Sequence, residues 1–141
     1  MAIVDSHELA LLAATAADDK KATDIVVLDL RELTDVCDYF VVCTVSNNPM
    51  MDAVTDEIRI RIREQCGEKP VSVEGRARST WVLIDYGAVV IHVFREETRD
   101  FYRLERLWGD APHVRLDLEG AQPESEWVTT GEPRQQEDPE V

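Results

Sequence analysis

Two apolar runs meet at a short turn within residues 80–94, and they set the pattern for the rest of the chain. Both runs are rich in β-branched and aromatic residues, and Gly87 can take the positive φ of a tight turn, which predicts an antiparallel hairpin. Strand alternation places Trp81, Leu83 and Asp85 on one face. Both faces are largely apolar, so we expect helices on one side and helices, a second subunit or a partner protein on the other.

Three further segments have strand patterns. Residues 24–30 and 39–44 are short and apolar nearly throughout, which is typical of strands buried on both faces. Residues 69–74 alternate more weakly and contain Pro70, which cannot donate a hydrogen bond to a neighbouring strand. We predict that this last segment forms an edge strand, with the hairpin at the centre of the sheet.

Helical patterns occupy the start, the middle and the end of the predicted domain. The first helix begins at Asp5 or Ser6, either of which can cap it. The segment 49–66 is ambiguous, because isoleucine and arginine alternate within it as they would in a strand. Its larger apolar residues recur at helical spacing and Gly67 follows it, so we predict a helix. A last helix is predicted over residues 95–108.

The order of these segments predicts an α/β domain with a mixed five-stranded sheet packed with helices. The helix-linked strands within residues 24–44 and 69–74 can run parallel, while the hairpin is antiparallel. We place the domain at residues 1–116. Residues 117–141 carry eight acidic side chains against the single basic Arg134, so we predict an acidic, disordered tail.

Composition narrows the possible partners. The chain has 141 residues and a net charge of −14, which argues against binding to free nucleic acid and favours a basic protein surface. Its three cysteines show no metal-ligand spacing, so we expect buried, reduced thiols. No apolar run approaches the roughly 18 residues of a membrane span, and the acidic start differs from a signal peptide. We expect a cytosolic protein that does not bind membranes.

Motifs of catalysis are missing from the sequence. A nucleotidyltransferase needs paired acids at the end of a strand to hold magnesium, whereas residues 44–47 read TVSN and no such pair follows. The chain also has no phosphate-binding glycine loop and no nucleophile turn. His92 lies in the middle of a strand, where we interpret it as a hydrogen-bonded core or surface residue. We predict no catalytic residue, no cofactor and no metal site.

A series of short blocks along residues 24–108 carries a resemblance to a known family. The blocks are 24–30 (DIVVLDL), 38–42 (DYFVV), 74–75 (EG), 81–87 (WVLIDYG), 90–94 (VIHVF), Arg99, 101–102 (FY) and 104–108 (LERLW). Taken in this order, they resemble the ribosomal silencing factor family, which is also called Iojap-like or RsfS, although residues 45–51 lack the Arg-Gln pair usual in the family.

The resemblance implies a nucleotidyltransferase-like fold without catalytic residues. It also implies binding to large-subunit ribosomal protein fourteen, which blocks joining of the small subunit and lowers translation when nutrients are scarce. Trp81 and Leu83 fit core packing as well as an interface, and the resemblance favours the interface. We therefore expect partner contacts from an exposed surface at the hairpin and its neighbours, formed by Glu74, Trp81, Leu83, Asp85, Tyr86, His92, Arg99 and Tyr102.

Two other functions stay open on the residues alone. One is a nucleotide-binding or nucleotidyl-transferring enzyme, and the other is a dimeric scaffold with no ribosomal role. A homodimer of the free protein is also predicted, because pairing would hide an apolar sheet face or the last helix.

Overall fold

The computed structural model describes residues 5–75, 80–98 and 111–124. Within these ranges two helices and five strands form a mixed α/β sheet domain, which confirms the predicted fold class. The elements are α1 (Ser6–Asp19), β1 (Thr23–Asp29), β2 (Tyr39–Val45), α2 (Asn48–Cys66), β3 (Ser72–Glu74), β4 (Trp81–Asp85) and β5 (Val89–Arg95).

Side-chain caps fix where both helices begin. The Asp5 carboxylate accepts a hydrogen bond from the Glu8 backbone N–H at 2.9 Å, so Asp5 is the cap of α1. The Asn47 side chain accepts from the Met50 N–H at 2.8 Å, and α2 ends at Gly67 with φ +72°. Each cap satisfies a backbone group that has no partner within its helix.

The ambiguous middle segment is helical, as its apolar spacing predicted. One face of α2 is buried through Met51, Val54, Ile58 and Ile62. The alternating arginines fall around the rest of the helix, and Arg61 forms ion pairs with Asp19 of α1 and Glu57 of α2. A strand would have placed all three isoleucines on one face and all three arginines on the other, whereas Ile60 here is 51% exposed.

The sheet has the strand order β1-β2-β5-β4-β3. The hairpin strand β5 is central and β3 is an edge, as predicted, although β3 is shorter than the predicted segment. Of the strands predicted to run parallel, β2 and β3, which α2 links, do run in the same direction, whereas β1 is antiparallel to β2. The parallel pair is β2 with β5, in register from Tyr39 opposite Val89 to Val45 opposite Arg95. This pairing requires a crossover, which α2, β3 and β4 supply.

Helices α1 and α2 cover one face of the sheet, which we call the helical face. Small residues of α1 are buried there, including Ala10, Ala13 and Ala17. They pack with α2 and with the inward side chains of the strands in one apolar cluster. Small side chains allow α1 to lie close to the sheet, and the cluster removes a large apolar area from water.

A segment of the last described range runs along the edge of β1 that no strand pairs with, and we call residues 111–122 the strap. Four backbone hydrogen bonds of 2.8 to 3.0 Å join it to Ile25, Val27 and Asp29. Leu116 and Leu118 of the strap pack against the cluster of the helical face. The packed chain thus extends past residue 116, where the sequence predicted the domain to end.

Two predicted features lie largely outside the described residues. Residues 96–98 are helical, but the rest of the predicted last helix falls in 99–110. Most of the predicted tail, residues 125–141, is also outside. Across the part of the chain that the structure describes, no helix is long and apolar enough to cross a membrane.

Gly120→Ala tests how closely the strap packs against Ala22 and Asp18. A Cβ at position 120 would lie 2.3 Å from the Ala22 carbonyl oxygen and 2.9 Å from an Asp18 carboxylate oxygen. Because backbone must move to admit it, we expect a loss of about 1–3 kcal/mol in the free energy of unfolding, measured by urea titration. Hydrogen exchange should also speed up at the Ile25 and Gln122 amides, which bond across this contact.

The matched control is Glu119→Ala, a truncation at the exposed neighbouring position. It should leave the free energy of unfolding within about 0.5 kcal/mol of wild type. Equal stability of the Gly120→Ala and Glu119→Ala variants would contradict the close packing of the strap.

Candidate binding surface on the aromatic face

The face of the sheet opposite α1 and α2 carries most of its aromatic rings, and we call it the aromatic face. The hairpin register sets Trp81 opposite Phe94 and Leu83 opposite His92. On the other side of β5, Phe40 of β2 pairs with Val90 in the sheet. These side chains share one face because alternate residues of paired strands point the same way.

Burial on the aromatic face decreases from β5 towards β3. Phe94 at the centre is 0% exposed. On β4 the side chains of Trp81, Leu83 and Asp85 are half-buried, and Glu74 on β3, opposite Leu83, is exposed. These four residues form a continuous surface of one indole, one aliphatic side chain and two carboxylates, and we call it the β4 patch.

Trp81 is held on two sides. Its ring stacks on Phe94 with centroids 5.3 Å apart and planes 23° apart. Its indole Nε1–H donates a hydrogen bond to His92 Nδ1 at 3.1 Å. A large aromatic ring that is partly exposed and fixed by its neighbours is a common form of interface anchor.

His92 lies beside Trp81 in the core of the aromatic face and is only 4% exposed. Burial lowers the pKa of His92 from 6.5 to about 4, so the ring is neutral at pH 7. Since Nδ1 accepts from Trp81, the ring proton lies on Nε2. This buried Nε2–H has no hydrogen-bond partner among the described residues.

The two carboxylates of the β4 patch have different roles in the fold. An Asp85 carboxylate oxygen accepts from the Gly87 N–H at 2.7 Å, which stabilises the hairpin turn. Gly87 itself has φ +86°, as the turn prediction required. Glu74 is exposed on an edge strand, so its charge can be changed with less effect on the fold.

Not all of the predicted partner residues come together on an exposed surface, and the prediction that His92 is part of that surface is wrong because it is only 4% exposed. The prediction that Tyr86 is exposed beside Trp81 is wrong, because Tyr86 is 9% exposed and belongs to the cluster of the helical face. Burial raises the pKa of Tyr86 to about 12. Arg99 and Tyr102 lie outside the described residues. Strand alternation places Tyr86 on the face opposite Trp81, and this alternation continues into the start of the turn.

Sequence reasoning missed the aromatic partners of the anchor. Phe40 contacts His92 edge-on with ring centroids 4.7 Å apart, and Phe94 lies under Trp81. Strand alternation could have shown that His92 and Phe94 of β5 lie on one face. The pairing of β2 with β5, and therefore the meeting of Phe40 with His92, depends on a register that the sequence pattern did not give.

In the described part of the chain, the other polar groups do not assemble into a second candidate site. Among the described residues, no cluster of His, Cys, Asp and Glu side chains could hold a metal ion. Cys37 and Cys43 are buried, as predicted, whereas Cys66 is only partly buried. Burial raises the pKa of the Cys37 thiol to about 11, which keeps it protonated and unreactive at neutral pH.

This arrangement defines a class of protein: an α/β domain that offers a half-buried aromatic anchor with acidic neighbours on a sheet face. The chain belongs to the ribosomal silencing factor family, whose model, described as ribosomal silencing factor during starvation, matches residues 4–140.

Relatives and a solved structure agree with this assignment. Ribosomal silencing factor RsfS of Bacillus subtilis is 42% identical over 107 residues, covering 76% of this chain and 90% of the relative. The RsfS of Halalkalibacterium halodurans is 38% identical over 114 residues, covering 81% and 97%. A crystal structure of protein CV0518 from Chromobacterium violaceum superposes with a TM-score of 0.72 at 32% identity, covering 85% of this chain and 98% of that one.

The burial of His92 predicts a specific dependence of stability on pH. Its pKa is about 4 in the folded chain and near 6.5 when exposed, so the unfolded state binds more protons between these values. The stabilisation is therefore complete above pH 6.5 and is lost as the pH falls through 4, by about 3 kcal/mol in all.

Urea unfolding of wild type and His92→Leu at pH 7 and pH 4 measures this effect. Other titrating groups contribute equally to both proteins, so the wild type should lose more stability than the variant. Equal losses would show that His92 is not buried in its neutral form.

Proposed function

We propose that this protein represses translation by binding the large ribosomal subunit. Its partner is large-subunit ribosomal protein fourteen, and the bound protein sterically blocks joining of the small subunit when nutrients are limiting. The observation that carries the proposal is the β4 patch, in which Trp81 is half-buried and stacks on Phe94. The names of the relatives, ribosomal silencing factor, support a regulatory role on the ribosome.

Charge supports a basic protein partner. The chain carries a net charge of −14, and the β4 patch contributes the carboxylates of Glu74 and Asp85. Ribosomal proteins are commonly basic, so opposite charge would speed association, while Trp81 and Leu83 would provide apolar contact. An acidic domain of this kind reaches the ribosome through its proteins, since exposed RNA phosphates would repel it.

The action is proposed to be steric and to need no catalysis. Repression by occupancy requires only a stable complex at the surface where the small subunit docks. We accordingly place the protein in the cytoplasm, where the subunits join, and assign it no cofactor. A nucleotide-dependent enzyme is the rival function, and it would act without occupying the subunit.

Trp81→Ala tests the anchor. Loss of a central aromatic should weaken binding to large subunits by about 2–4 kcal/mol, or roughly 30- to 1,000-fold in Kd. Because Trp81 is only partly buried, the melting temperature should fall less than the loss of about 3–5 kcal/mol for a fully buried aromatic would produce. Binding is measured by cosedimentation with purified large subunits, and melting by circular dichroism.

Tyr86→Leu is the matched control for Trp81→Ala, since it truncates an aromatic on the helical face. It should lower stability and leave the binding of the folded protein intact. If Trp81→Ala binds like wild type, the assignment of the β4 patch is refuted. If wild-type protein fails to cosediment and instead binds a nucleoside triphosphate with magnesium, the rival enzyme is favoured.

Glu74→Lys tests the charge of the β4 patch. Against a basic partner, the reversed charge should slow association about 3- to 10-fold at low salt, with the difference shrinking as salt screens it. The control is Glu64→Lys, the same reversal at an exposed position of α2 on the other side of the sheet. Surface-captured large subunits give the rates, and equal rates for both variants would argue against a basic partner at this patch.

We also propose that the free protein forms a homodimer that hides apolar surface of the β4 patch. Trp81 and Leu83 are only half-buried in the isolated chain, and contiguous exposed apolar groups favour pairing. Light scattering at tens of micromolar should therefore give twice the monomer mass of 16.0 kDa. A monomer mass at that concentration would rule the dimer out, and a dimer that never binds large subunits would favour a scaffold function.

A further inference from the structure

His92 is a polar residue in an otherwise apolar part of the sheet. It is 4% exposed, and Phe40 and Phe94 flank its ring, at centroid distances of 4.7 and 6.0 Å. An aliphatic side chain would fill such a site without an unpaired polar atom of its own, although the Trp81 indole N–H would lose its acceptor. The Nε2–H of His92 has no hydrogen-bond partner within the described residues, which makes the histidine costly to the fold.

The compensating contact is the hydrogen bond from Trp81. Its indole Nε1–H donates to His92 Nδ1 at 3.1 Å, and the two rings lie 26° from parallel with centroids 5.9 Å apart. A hydrogen bond of this kind accounts for a histidine at position 92 better than stability does, because an apolar residue would avoid the unpaired Nε2–H. The value of His92 must then lie in what it does to Trp81.

Stacking alone does not fix the orientation of the indole. Trp81 lies on Phe94 at 5.3 Å, and such stacking is compatible with either of two ring orientations related by a flip about the bond to the ring. The two orientations direct the indole N–H to opposite sides. A fixed acceptor at His92 Nδ1 selects one of them, so the exposed edge of the ring is already ordered before any partner arrives.

We propose that His92 is a positioning residue that holds the Trp81 indole in its binding orientation through this hydrogen bond. The inference rests on the proposed function, because it concerns how the β4 patch binds. Ordering an anchor in advance lowers the entropy lost on association, and the benefit appears mainly as slower dissociation. His92 itself need not touch the partner.

Two variants separate positioning from packing. His92→Leu removes the acceptor together with the unpaired Nε2–H, whereas His92→Asn retains an acceptor oxygen at the same number of bonds from the backbone as Nδ1. Positioning predicts that the asparagine variant keeps the orientation of Trp81 and that the leucine variant loses it. If His92 only fills space, the leucine variant should keep the orientation of Trp81 and the affinity for large subunits, because packing alone would then hold the ring.

The first readout needs no ribosome. The chain has three tryptophans, and Trp81→Phe identifies the indole N–H signal of Trp81 in a nitrogen–proton NMR spectrum. Hydrogen exchange at this N–H should be about 10-fold or more faster in His92→Leu than in wild type, because its protecting bond is gone. His92→Asn should stay close to wild type. Unchanged exchange in His92→Leu would overturn the proposal.

The second readout is a double-mutant cycle on binding. His92→Leu should raise the Kd for large subunits about 10-fold, chiefly through faster dissociation, at an unchanged or higher melting temperature. In the Trp81→Phe background, which lacks the donor, the same change should have no further effect. A similar loss in both backgrounds would show that His92 acts through general packing and would overturn the proposal.

The two readouts also separate this inference from the proposed function. If wild-type protein does not bind large subunits, the function fails, yet indole exchange still decides whether His92 orients Trp81. If wild type binds and exchange is unaffected by His92→Leu, the function stands and the positioning role fails.

Discussion

The parallel pairing of β2 with β5 is the constraint on which the rest of the structure depends. A parallel pair cannot be closed by a tight turn, so the chain must leave β2, cross the sheet and return. Helix α2 makes most of that crossing, and it brings β3 and β4 to the far side of β5. One pairing therefore places the helices on one face and directs the hairpin's aromatic residues to the other.

Because of the same constraint, solvent exposure on the aromatic face increases from β5 towards β3. Strands near β2 are covered, whereas β4 lies towards the short edge formed by β3. Trp81 is at the boundary, where it is partly buried and stacks on Phe94. This position lets one indole belong to the core and to a binding surface at once, and it keeps water away from the hydrogen bond to His92.

Local sequence patterns predicted most of the secondary-structure elements of this fold. Caps, the helix stop at Gly67 and the hairpin turn at Gly87 depend on neighbouring residues, and all three were predictable. The direction of β1 relative to β2 and the pairing of β2 with β5, which brings Phe40 to His92, depend on how the strands are arranged in the sheet. Periodicity within a strand does not encode that arrangement. Tyr86 lies on the helical face, as strand alternation requires, whereas the prediction that it contacts a partner followed the family resemblance.

The strap gives the sheet a property that neither its core nor its binding surface supplies. An uncovered strand edge is a template on which another chain can add, and long edges lead to aggregation. Here β3 exposes an edge of only three residues, and the strap occupies the edge of β1 with its own backbone. A chain cut at residue 116 would keep most of its core and lose the bonds of Gly120 and Gln122 to Ile25. The edge of β1 would then be open to addition of a strand from another chain. The acidic end of this protein therefore begins with a segment that protects the sheet from edge-to-edge aggregation.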